Sequence, residues 1–141
     1  MEDGLNRFLK AQEINYKTAL AEIKSSRKRS HWMWYIFPQL KGLGVSETSK
    51  YFGIKDLYEA KEYLNHPILG ARLKEITNEL LTLNESNPKI IFGSPDDKKL
   101  KSCMTLFSMV DDSNNCIFIK IIQKFFDGNF DVKTLILIEN I

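Results

Sequence analysis

Apolar residues recur at every third or fourth position along most of this chain, and that repeat confines it to helical folds. Leu5, Phe8, Leu9, Gln12, Tyr16, Ala19, Leu20 and Ile23 share one face of a first helix, predicted over about residues 4 to 26. Leu57, Ala60 and Leu64 mark a short helix. His66-Pro67 stands at the start of the next, where proline is tolerated, and Leu69, Leu73, Ile76, Leu80 and Leu83 form its stripe. Ser94-Pro95-Asp96-Asp97 reads as another helix start: the serine caps, the proline sets φ, and the two acids face the positive end of the dipole. Leu100, Cys103, Met104, Phe107 and Val110 carry that helix on. Ile117, Phe118, Ile121, Ile122 and Phe125 form the one after it, closed by Asp127-Gly128, and Asp131 is placed to cap a short final helix. KIIFG and CIFIKII have the composition of strands, but the length of CIFIKIIQKFF favours helix, and no segment alternates cleanly with period two. The expected fold is all-α, a single compact multi-helix domain over residues 1–141 with roughly six or seven helices. An irregular aromatic loop interrupts it at about residues 30–44, where Pro38, Gly42 and Gly44 punctuate the chain.

The remaining chain-wide features mainly exclude. With 43% hydrophobic and 27% charged residues the composition is globular rather than disordered. The net charge of +2 leaves no broad basic face for extended duplex nucleic acid, so any anion binding must come from local clustering. The polar opening MEDGLNRF is unlike a signal peptide, and no apolar run reaches membrane-spanning length. Cys103 and Cys116 are too few for a disulfide framework and lack metal-type spacing, which fits thiols in a reducing cytoplasm. His31 and His66 form neither HxxxH nor HxH, so neither a metal site nor a cofactor is expected.

One segment is out of the ordinary. The basic run KSSRKRS, Lys24 to Ser30, leads directly into HWMWYIFPQLKGLG. The chain here resembles the DUF1810 family of small bacterial proteins, whose hallmark is a segment close to SHWMWFIFPQ followed by GLG. The corresponding residues are SHWMWYIFPQLKGLGVS. The likeness extends through RFLKAQEINYKTALAEIK, EAKEYLNHPILGARL and IFGSPDDKKLKSCMTLF, nearly the whole chain. It departs at Cys103, where the family usually has a second serine after Ser102, and at Ser26, where glycine is common. The resemblance implies a mainly helical protein and carries no activity with it.

The residues themselves point to a ligand class. Lys24, Arg27, Lys28 and Arg29 can be a solvated helix C-terminus; equally, Arg27 or Lys28 can hold a phosphate with Ser30 and His31 donating hydrogen bonds. Trp32 and Trp34 are core residues on the plain reading and stacking surfaces on the functional one. An extended run would send Trp32, Trp34 and Ile36 to one side and His31, Met33, Tyr35 and Phe37 to the other. In GSPDDKKLKSCMTLF, Lys99 and Ser102 share a helix face beside an anion-favouring N-terminus, and could in principle form a nucleophile pair. Cys103 lies on the apolar stripe and is expected to be inert. No nucleophile elbow, Walker loop, dinucleotide fingerprint or paired-carboxylate motif is present.

The first expectation is therefore a site for an anionic, ring-bearing small molecule, a nucleotide or an ADP-ribose-like compound, bound or sequestered by Arg27, Lys28, Ser30, Trp32, Trp34, Gln39, Lys99 and Ser102. The alternative is a hydrolase on a nucleotide-type substrate, with His31 as general acid or base oriented by Asp96. A protein- or nucleic-acid-interaction module is the third. For the first two, His31 and Lys99 are expected to enter one cavity, with Arg27, Ser30, Gln39 and Ser102 nearby.

Overall fold

The structure is a computed structural model that describes residues 4–140. More than half of these are helical, as the periodicity requires, in nine α-helices. They are α1 (Asn6–Lys24), α2 (Met33–Ile36), α3 (Glu47–Phe52), α4 (Leu57–Asn65), α5 (Leu69–Thr82), α6 (Pro88–Phe92), α7 (Asp96–Ser108), α8 (Ile117–Phe126) and α9 (Val132–Glu139). A single parallel bridge, Leu40 to Ile54, is the only extended pairing among the described residues. KIIFG is helical rather than extended: Asn87 caps α6 through Lys89 N–H, and Pro88 takes the first turn.

The core is built around α7, which packs against α4, α6, α8 and α9. Leu100, Cys103, Met104, Leu106 and Phe107 of this helix are fully buried. α5 lies against α1, α4 and α8, and α1 also holds α2. Several buried polar groups lock these contacts. The guanidinium of Arg7 on α1 donates to the carbonyls of Tyr51 and Gly53 and to both carboxylate oxygens of Glu59 on α4. Lys124 on α8 donates to three carbonyls at the C-terminal end of α5, those of Leu80, Leu81 and the flanking Leu83, where helix carbonyls run out of intrahelical donors.

One helix start differs from expectation. Ser94 does not cap α7; the flanking residue is Pro95, and no side chain accepts from the first turn. Asp131 does cap α9, accepting from Thr134 N–H. At the end of α1, Ser26 adopts a left-handed conformation (φ 62°), Ser26 N–H bonds Ile23 O, and Arg27 N–H bonds Glu22 O. That is the two-bond closure usually built with glycine, which accounts physically for glycine being the more relaxed residue at this position.

The aromatic segment is not extended. Met33 to Ile36 form one helical turn, so the expected alternation of faces does not occur. Trp32, Met33, Tyr35, Ile36 and Phe37 are all buried, and Trp34 alone is half-exposed. The GLG that follows uses its glycines differently. Gly42 has positive φ (105°), whereas a Cβ on Gly44 would stand 2.7 Å from Ser49 Cβ, so only glycine lets α3 approach.

Candidate functional site

The basic run is organised by one carboxylate. Glu22, on α1 and buried, accepts from Arg29 N–H (2.7 Å), Ser30 N–H (3.0 Å), Ser30 Oγ (2.6 Å) and Trp32 Nε1–H (2.8 Å). Burial alone would raise its pKa, but the bonds from Ser30, Arg29 and Trp32 outweigh it and hold the group at about 2, below the usual 4.5. Ser30 and Trp32, expected at a ligand, are thus structural. The Trp32 ring is fully buried and has no face to offer.

Lys28 is likewise engaged inside the protein. Its Nζ lies 2.9 Å from Asp96 Oδ2 and 5.0 Å from the centre of the Trp32 ring, and it donates to Ser30 O. Asp96 Oδ1 meets Lys99 Nζ at 3.2 Å, and that ammonium sits 3.7 Å from the centre of the Trp34 ring. Two ammonium groups share one carboxylate here, which leaves a local surplus of one positive charge. The segment after α1 and the start of α7 therefore meet through Lys28, Asp96 and Lys99.

Beside this junction opens a cleft of about 530 Å³. Its walls come from three places in the sequence. Trp34, Gln39, Leu43 and Gly44 belong to the aromatic segment and its loop. Pro95, Lys98, Lys99, Lys101 and Ser102 belong to α7 and its approach. Asp131, Val132 and Lys133 open α9. Four lysines thus face one aspartate across an aromatic and aliphatic wall. Lys98 and Lys133 form no ion pair among the described residues, and Lys101 Nζ is 5.9 Å from the Phe126 ring. Ser102 Oγ lies 3.1 Å from both Lys98 O and Asp131 Oδ2.

Of the residues singled out from sequence, Trp34, Gln39, Lys99 and Ser102 line this cleft. Arg27 and His31 are exposed but outside its lining, and Asp96 stands behind it holding Lys99. His31 and Lys99 therefore do not share the cavity. The turn of α2 carries Trp34 to the cleft and leaves His31 before it, where its carbonyl accepts from Tyr35 Oη. Nor do Lys99 and Ser102 act as a pair: the first is bonded to Asp96 and the second to Lys98 O and Asp131. In the sequence Asp131 is marked only as a helix cap, and Lys133 and Val132 carry no local signal of a site.

Cys103 and Cys116 are free and buried, and burial raises both thiol pKa values. Among the described residues no cluster of His, Cys, Asp or Glu could hold a metal ion, and no helix is long and apolar enough to cross a membrane.

The fold has a close counterpart among solved structures. The crystal structure of the conserved hypothetical protein Rv1873 from Mycobacterium tuberculosis is similar with a TM-score of 0.93, at 42% sequence identity over 96% of each chain. No curated protein matches this chain. The profile of a family described as "Protein of unknown function (DUF1810)" matches residues 2–138.

Proposed function

Because this chain belongs to the DUF1810 family, described only as of unknown function, its activity must be argued from its own residues, and we propose that the cleft binds an anionic, ring-bearing small molecule of the nucleotide type. The observation that carries this reading is the juxtaposition of four lysines with the half-exposed Trp34 ring around one 530 Å³ cleft. That volume lies within the range of small-molecule sites. Lys98, Lys99, Lys101 and Lys133 supply the charge for phosphate oxygens, while Trp34, Leu43 and Val132 supply the apolar wall. Lys99 rests on the Trp34 ring, so an anion that draws the ammonium toward itself uncovers an aromatic face for the ligand's ring. Binding is favoured over hydrolysis because His31, the general acid or base of the alternative, is outside the cleft.

Titration calorimetry with ADP and with pyrophosphate tests the reading. Saturable binding that weakens as salt is raised is expected. Lys99→Ala and Lys133→Ala should each cost about 1.5–3 kcal/mol of binding, the range for a charge-assisted hydrogen bond. For the Lys99 variant the accompanying loss of stability should stay near 1 kcal/mol. Absence of binding by the unaltered protein, or binding indifferent to both substitutions, overturns it.

A further inference from the structure

A second cavity, of about 290 Å³, adjoins the lysine cleft. Gly42, Leu43, Lys133, Ile136 and Leu137 line it, and Leu43 and Lys133 are walls of both. Lys133 is its one polar side chain. The loop after α2 and helix α9 form its two sides, close enough that a Cβ on Gly42 would stand 3.6 Å from Leu137 Cδ1. α9 leaves much of its apolar surface uncovered. Five of its eight residues are Val, Leu or Ile, yet Thr134 alone is buried. Val132, in the wall of the cleft, and Ile136, in the wall of the second cavity, are 65% and 52% exposed. Four residues apart, they lie on one face of the helix. An apolar track therefore leads out of the cleft along α9. A stable protein interface buries about 800 Å² on each partner, more than four side chains and a glycine can present. The end of a small molecule matches this cavity better.

We propose that the ligand of the cleft is a nucleoside diphosphate whose terminal phosphate is esterified to an apolar chain, and that this chain lies between Leu43 and Ile136. This rests on the reading of the cleft as a nucleotide-type anion site. Lys133, common to both cavities, sets positive charge between two apolar surfaces. Trp34 lines the first cavity, whereas Ile136 and Leu137 line the second. A ligand that covers both surfaces carries its phosphates in the middle, a ring at one end and an alkyl group at the other. A simple nucleotide would leave the groove beside Ile136 to water, and an alkyl phosphate without a ring would leave the Trp34 face uncovered. Covering exposed apolar surface is itself favourable, so the chain adds affinity that the lysines cannot supply.

Calorimetry on the full chain compares ADP with its methyl, butyl and octyl esters at the terminal phosphate, the octyl ester being kept below its micellar concentration. The methyl ester holds the charge constant, so chain length is the only variable among the three esters. A fully buried methylene gains about fourfold in affinity, and one covered on one side about twofold. Butyl over methyl should therefore gain about eightfold, and octyl should gain further until the chain outruns the groove. Ile136→Ser, at an exposed position, should keep its melting temperature and lose most of the butyl-over-methyl ratio. Should it fold poorly, Ile136→Thr, which keeps the branched shape, carries the same comparison. Longer esters that bind no better than the methyl ester, or a chain-length gain that survives in the Ile136 variant, overturn the apolar arm and leave the anion site standing. So does a dimer, seen in sedimentation, that Ile136→Ser dissolves, since that assigns the face of α9 to a second copy. If neither ADP nor any ester binds, both readings fall.

Discussion

Trp32 and Trp34 sit in the same motif and have opposite fates, and the difference comes from one helical turn. Trp32 precedes α2, faces inward and donates to Glu22; Trp34, within the turn, reaches the cleft and carries the Lys99 ammonium on its ring. In a Trp32→Phe protein the remaining indole should be quenched readily by iodide, whereas in Trp34→Phe the remaining indole should be protected. Equal protection of both would contradict the structure. The two changes should also differ in stability. Trp32→Phe deprives a buried carboxylate of a donor and should cost about 1–3 kcal/mol in urea titrations, whereas Trp34→Phe should cost less. That the motif would hold both a core and a border tryptophan was legible in the sequence, since one run held too many aromatics for either role alone. Which one was which was not, because an extended run and a helical turn distribute the same residues differently.

Among the elements, the long helices and the short α4 and α9 were legible, whereas α3 and α6 were not. α1, α5, α7 and α8 each span enough turns for an apolar stripe to repeat, whereas α3 and α6, of six and five residues, end before a period can show itself. Helix ends divide in the same way. Asp131 caps as its position suggests, but Ser94 does not, because the backbone reaches α7 through Pro95. Ser26, in the left-handed region at the end of α1, should be improved by Ser26→Gly, which is expected to raise stability by about 0.5–1 kcal/mol in chemical denaturation. Lys124 is the converse case, a charge with no local explanation that satisfies three carbonyls at the end of α5. Burial lowers its pKa, and Lys124→Met, which keeps the stem and removes the donors, should cost about 1–3 kcal/mol.

For the molecule as a whole, Glu22 ties stability to pH. Its pKa falls from 4.5 to about 2 on folding, so its contribution is complete above about pH 4.5 and is lost as pH falls toward 2. Urea midpoints measured through that window should fall by an amount corresponding to about 2–3 kcal/mol from this group. Glu22→Gln should start lower at neutral pH and lose less across the same range; parallel curves for the two proteins would refute the assignment. The all-α class, the order of the main helices and the presence of an aromatic segment directly after a basic run were determined by the sequence itself. Those properties rest on local spacing, which needs only a helix with one buried face. The tertiary structure decided which charges are free. Lys28 and Lys99 look alike along the chain, yet one is enclosed between Asp96 and Trp32 while the other borders the cleft. Asp131 and Lys133 reach the same cleft only because α9 packs on α7. A side chain's charge is written in the sequence; whether it is neutralised depends on neighbours that packing brings from distant segments, and no local pattern records them.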